Sequence, residues 1–102
     1  MRAIIAFLLG SFLFMAFPAT IPGDAKRGGE LFETQKCVIC HSLNGQGGNR
    51  APDLAKKTAR AYTPGLMASL MWNHAPVMWS AFERESIERP QLTEQQSADL
   101  FA

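Results

Sequence analysis

A chain of 102 residues, 47% of them hydrophobic and 19% charged, has room for one domain. A formal net charge of +1 and an ordinary globular composition, with no acidic or basic tail, speak against a nucleic-acid binder. The first element in the chain is apolar. After Met1 and Arg2 no charge appears until Asp24, and "AIIAFLLGSFLFMAF", Ala3 to Phe17, is interrupted only by Gly10 and Ser11. One positive charge before such a run is the layout of a secretory signal, so the protein is expected to be exported to the periplasm. A buried core helix is the other reading, but it rarely stands at the extreme N-terminus behind an arginine. The small-x-small cleavage rule is poorly met after Ala19, with Phe17 in the third position back. It is better met after Ala25, with Gly23, but far from the apolar run. Ala3 to Gly23 is also 21 uncharged residues, enough at about 1.5 Å per residue to cross a bilayer. Residues 1–23 are therefore read as a signal peptide or an uncleaved membrane anchor, and 24–102 as the folded domain.

The domain reads as all-α. Asp24 can cap a helix through "AKRGGELFETQK", with Glu30 and Glu33 near one face and Leu31 and Phe32 on the other. Gly28 and Gly29 weaken it by about 1 kcal/mol each relative to alanine, and such a pair signals the close approach of another backbone. "SLNGQGGNRAPDL" is a turn-rich loop, and "AKKTARAY" a weak, solvated helical stretch. In "TPGLMASLMWNHAP", Thr63 caps and Pro64 takes the first helical position. Leu66, Met67, Leu70, Met71 and His74 follow at helical spacing, and Pro76 is expected to end the helix. A short helix is predicted from Ser80, with Glu83 completing a capping box, to before Pro90. The last helix starts at Thr93, with Gln96 in the matching place.

The chemistry concentrates in "QKCVICHSL". The chain has two cysteines, Cys37 and Cys40, and His41 follows directly. A disulfide between them would close a very small loop and staple little of the chain. A thioredoxin-like dithiol needs a preceding strand in a βαβ setting, whereas the residues before Cys37 read as helix. A structural zinc needs four ligands, and beyond these three only His74 remains. Cys-x-x-Cys-His is left as a covalent haem attachment site. Two thiols on one turn can form thioethers with both vinyl groups of one porphyrin, and the histidine then lies beneath the ring as an iron ligand.

"GDAKRGGELFETQKCVICH" resembles the N-terminal helix and haem site of class I c-type cytochromes. "APDL" is similar to the segment whose proline carbonyl orients the proximal histidine. "VMWSAF" followed by "LTEQQSADLFA" resembles the distal methionine loop and the C-terminal helix. The likeness covers Gly23 to Ala102, although the attachment motif alone is specific. The resemblance implies a small cytochrome c-like helical fold around one haem c. It implies that Gly28 lies where the first and last helices cross, with Phe32 beside it, and that Pro52 accepts a hydrogen bond from His41. There are departures. One extra residue separates Phe32 from Cys37, Ala51 stands where glycine is usual, and the C-terminal helix breaks off early after "DLFA". On that ground the chain reads as a fragment or a truncated frame.

The second iron ligand is expected to be Met78, just beyond Pro76 in a stretch predicted to be non-helical and at the family's position. His74, Met71, Met67 and an open site are the alternatives. Met67 and Met71, four apart, also fit a core stripe, and His74 fits a C-terminal helix cap. Methionine favours ferrous iron and raises the potential. Trp72 and Trp79 either line the pocket, donating to a haem propionate, or simply pack. The expected function is one-electron transfer, not enzymatic turnover: Cys37 and Cys40 tether the ring while His41 and Met78 hold the iron. The expected partners are a redox protein donor and acceptor, met as a monomer or as a subunit of a redox complex. From Lys36 to Arg60 five basic residues face one acid, Asp53, so this stretch either steers acidic partners or is plain solvated surface. A haem-based ligand sensor, a haem subunit of an oxidoreductase and a haem-free export dithiol protein are the rival classes.

Overall fold

The computed structural model describes residues 20–56 and 58–102. The segment read as signal or anchor lies outside the described residues except for Thr20–Gly23, as does Lys57. No helix among the described residues is long and apolar enough to cross a membrane. In chain order come helix α1 (Ala25–Thr34), a 3-10 turn (Cys37–Ile39), strands β1 (Ser42–Leu43) and β2 (Gln46–Gly47), and helices α2 (Pro64–Glu85) and α3 (Glu94–Leu100).

The helix starts follow local capping chemistry. Asp24 accepts a bond from the Arg27 amide and Thr63 one from the Leu66 amide, with Pro64 in the first turn. Thr93 and Gln96 form the reciprocal box at the start of α3. The helix ends are less regular. α1 stops at Thr34, and Lys36 takes a left-handed φ of 69° before the 3-10 turn begins. Lys36 belongs to the spacer of extra length between Phe32 and Cys37, and its turn redirects the chain.

Three expectations are corrected. The all-helical reading omits a small antiparallel ladder, in which Ser42 pairs with Gly47 and Leu43 with Gln46. Asn44 and Gly45, at φ 51° and 79°, make the tight turn that joins them, and an Asn-Gly pair is the usual sequence signal for such a turn. The stretch "AKKTARAY" holds no helix among its described residues. Its start is drawn into a turn by Asp53, which accepts from the Ala55 amide at 2.9 Å.

The third correction concerns Pro76, which does not end its helix. α2 runs straight through it, and no second helix starts at Ser80. Proline removes the bond to the Trp72 carbonyl, but Pro76 and Trp72 are both exposed, so water can serve that group. Met67, Met71, Ala75, Met78 and Phe82 form one half-buried to buried stripe across the proline, and that periodicity carries the helix on. The Ser80 hydroxyl donates back to the Pro76 carbonyl at 3.1 Å, the habit of a mid-helix serine and not of a cap. α2 ends at Ser86, left-handed at φ 55°, with the Ile87 amide donating to the Phe82 carbonyl at 2.9 Å.

The core is thin. Phe32, Phe82 and Phe101 are its buried hydrophobic side chains, and among the described residues no large side chain is fully buried. α1 and α3 pack at Gly28, where an added Cβ would meet the backbone of Asp99. Gly29 has open space above it, so the paired-glycine expectation holds at one of the two; Gly23 instead meets Ala98 in the same contact.

Asp99, 3% exposed, fastens this crossing. It accepts from the Asp24 amide at 2.8 Å, from Arg27 Nε at 2.9 Å and from Gln95 Nε2 at 2.9 Å. Arg27 and these other donors hold the Asp99 carboxyl well below the usual carboxylate range. A depressed folded value means that the ionised form stabilises the fold. That contribution is complete above the ordinary aspartate value of about 3.9 and is lost as pH falls towards the lower folded value. Arg27 stays protonated throughout and adds no pH dependence of its own. Asp99→Asn is therefore expected to lower the Tm of the haem-loaded protein by several degrees at pH 7. The gap to the parent narrows below about pH 4, as a series of thermal melts across pH would show.

Candidate functional site

The attachment segment lies between the end of α1 and the β1–β2 hairpin. After Lys36 the 3-10 turn carries Cys37 and closes with the Cys40 amide donating to the Cys37 carbonyl at 3.2 Å. The His41 amide donates to the same carbonyl at 2.9 Å. Both thiols are free and half-buried. Burial pushes the Cys37 thiol up, so it stays protonated at neutral pH and is not poised as a redox thiolate.

The loop after the hairpin folds back tightly over this turn. The Gly48 amide donates to the Val38 carbonyl at 2.8 Å and to the His41 carbonyl at 3.0 Å. A Cβ on Gly48 would press into the backbone of Ile39 and Cys40, so only glycine permits the approach. The chain then runs beside the motif it has just left. The Ala51 amide donates to the Cys40 carbonyl at 2.9 Å and the Leu54 amide to the Ser42 carbonyl at 2.9 Å.

Between these two bonds His41 Nδ1 lies 2.8 Å from the Pro52 carbonyl oxygen. A carbonyl can only accept, so Nδ1 carries the proton and donates it. In the neutral ring the lone pair is then on Nε2, the nitrogen left available for a metal. Sequence reasoning placed Cys37, Cys40, His41 and Pro52 in one site, and the structure brings these four together.

Met78 is placed differently from its expectation. It does not lie in a loop beyond Pro76 but within α2, half-buried. Positions 67, 71, 74 and 78 are spaced by four, three and four, so three methionines and His74 share one side of that helix. His74 is exposed and stands mid-helix, which removes its reading as a C-terminal cap. Trp72 is 80% exposed and does not pack. Trp79 packs against Phe82, with ring centroids 5.6 Å apart, and beneath the Arg89 guanidinium at 5.5 Å. The end of α2 is tied to the attachment loop by an ion pair of 2.6 Å between Arg50 and Glu85, both partly exposed.

Sequence reading assigned no role to Asp53. Its carboxylate accepts from the amides of Asn44 at 3.1 Å, Gly45 at 2.7 Å and Ala55 at 2.9 Å. These donors, the Gly45 amide foremost, hold its carboxyl below the usual value. The adjoining Asn-Gly turn and "PDL" were the available signals, since aspartate favours bonds to nearby backbone amides.

A family model described as Cytochrome c matches residues 25–102. No curated protein and no solved structure matched the chain.

Proposed function

This chain belongs to the cytochrome c family and is a haem-binding electron-transfer protein; from that premise we propose that it is an exported carrier, not an enzyme, whose iron is held by His41 and Met78. The family's haem c is attached covalently through cysteine, here Cys37 and Cys40. The residues fit that group. The two free thiols share one turn, the imidazole beside them is already oriented by a backbone acceptor, and the thin phenylalanine core leaves apolar surface on α2 that a porphyrin can cover.

The observation that carries the reading is the bond from His41 Nδ1 to the Pro52 carbonyl, which fixes the tautomer and leaves the Nε2 lone pair for a metal. When bound, the haem supplies a reversible one-electron change at iron. The protein's own groups do the rest. Cys37 and Cys40 restrain the ring against loss, the Pro52 carbonyl strengthens His41 as a donor, and Met78 would supply a weaker donor that favours the ferrous state. Met78 is preferred to His74 because it lies in the half-buried stripe with Met71, Ala75 and Phe82, while His74 is exposed. Export is supported by the apolar run behind Arg2, and redox proteins on either side of the transfer are the proposed partners.

Paired substitutions test the ligand assignment. Met78→Ala should abolish the low-spin spectrum and lower the reduction potential by at least about 59 mV, a tenfold change for one electron. His74→Ala should change neither. If instead His74→Ala collapses the spectrum and Met78→Ala leaves it intact, the iron is held by two histidines and the assignment is wrong.

A further inference from the structure

The direction of the Pro52 carbonyl is set by the peptide plane between Pro52 and Asp53. The proline ring fixes φ on one side, and Pro52 has no N–H with which its own backbone could be held. Rotation of that plane would swing the carbonyl off His41. Asp53, at the other end of the plane, is gripped from both directions. Its Oδ1 accepts from the Ala55 amide at 2.9 Å and the Asn44 amide at 3.1 Å, and its Oδ2 accepts from the Gly45 amide at 2.7 Å. Asn44 and Gly45 both have positive φ, which turns their successive N–H groups towards one anion. The hairpin that presents them begins at Ser42, the residue after His41, and Ser42 itself accepts from the Leu54 amide at 2.9 Å.

We propose that Asp53 is the positioning residue for the iron ligand His41, locking the hairpin after the histidine to the segment that carries the Pro52 carbonyl. The inference rests on His41 being the proximal ligand. With the clamp loosened, the Nδ1–H bond weakens, the imidazole becomes a poorer donor to ferric iron, and the reduction potential rises.

Two conservative variants of the haem-loaded protein separate geometry from charge. Asp53→Glu keeps the charge but lengthens the side chain by one methylene, so its oxygens no longer match the three amides. Asp53→Asn keeps the reach but loses the charge and one acceptor. The readout is hydrogen exchange of the His41 Nδ1 proton in the ferrous state, beside the potential and the exchange of amides in α1 and α3.

The expected result for Asp53→Glu is exchange of that proton about fivefold faster or more, a raised potential, and unchanged exchange in α1 and α3; Asp53→Asn shows a smaller effect. If the proton in Asp53→Glu exchanges at the parent rate, or quickens only together with the α1 and α3 amides, the proposal is overturned. If Asp53→Glu yields no haem-loaded protein, the same proton is followed in Asp53→Asn, where about twofold acceleration supports the proposal and the parent rate overturns it. Failure of the underlying ligand reading is seen separately, as the absence of an iron-bound His41 signal in the parent itself.

Discussion

Replacing both Cys37 and Cys40 with alanine is expected to yield haem-free protein without a cooperative fold. The family match spans residues 25–102, and chains of about this size bury only about 60% of the surface they expose when unfolded. Among the described residues, side chains contribute little to the core beyond Phe32, Phe82 and Phe101, and both cysteines are free, so no disulfide compensates. The two substitutions by themselves remove only half-buried sulfur atoms and would be mild in a self-sufficient core. The large effect comes from losing the porphyrin as core material. Far-ultraviolet circular dichroism should show weak helix and a shallow, non-cooperative melt; a sharp helical transition in haem-free protein would refute this dependence.

Two adjacent glycines should respond with opposite signs. At Gly28 an added Cβ would fall on the Asp99 carbonyl group, 2.7 Å from its carbon, and 3.2 Å from the Leu100 Cα. These are backbone atoms of α3 and cannot step aside as a flexible side chain does. Gly28→Ala must therefore push the two helices apart, straining the bonds that Asp99 accepts from Asp24 and Arg27. Overpacking of this kind costs about 1–3 kcal/mol, roughly 4–24 °C in Tm for a domain of this size. At Gly29 nothing lies within 4 Å, so alanine gains helix propensity and should stabilise by about 0.5–1 kcal/mol. Thermal melts of the two haem-loaded variants decide it. Equal shifts of the same sign would mean that the α1–α3 crossing is not close-packed at Gly28.

The parts legible in the sequence are those governed by neighbours in the chain. Asp24, Thr63 and the Thr93–Gln96 box cap their helices through amides three positions away, so type and spacing suffice. Cys37, Cys40 and His41 were legible because covalent attachment demands that order within one turn. Pro76 was misread because the rule for proline weighs one lost hydrogen bond, while the stripe from Met67 to Phe82 weighs a whole helix face. That error also put Met78 in a loop. The hairpin at Asn44–Gly45 carried its usual signal but was too short to show strand periodicity around it. Asp99 was beyond reach for another reason. Its partners Asp24 and Arg27 are 75 and 72 positions away, and nothing local marks an aspartate that will be buried among them.

Attachment of one haem through both thiols, beside His41, is the feature on which everything else depends. It is tested most directly on protein made in a periplasm that has haem-attachment machinery. After extraction with acidified acetone the chain is weighed intact, and its alkaline pyridine haemochrome spectrum is recorded. The expected result is a mass increase of one haem per chain that survives extraction, with a spectrum showing both vinyl groups saturated as thioethers. Haem that leaves with the solvent, or a chain weighing no more than its residues, would contradict it.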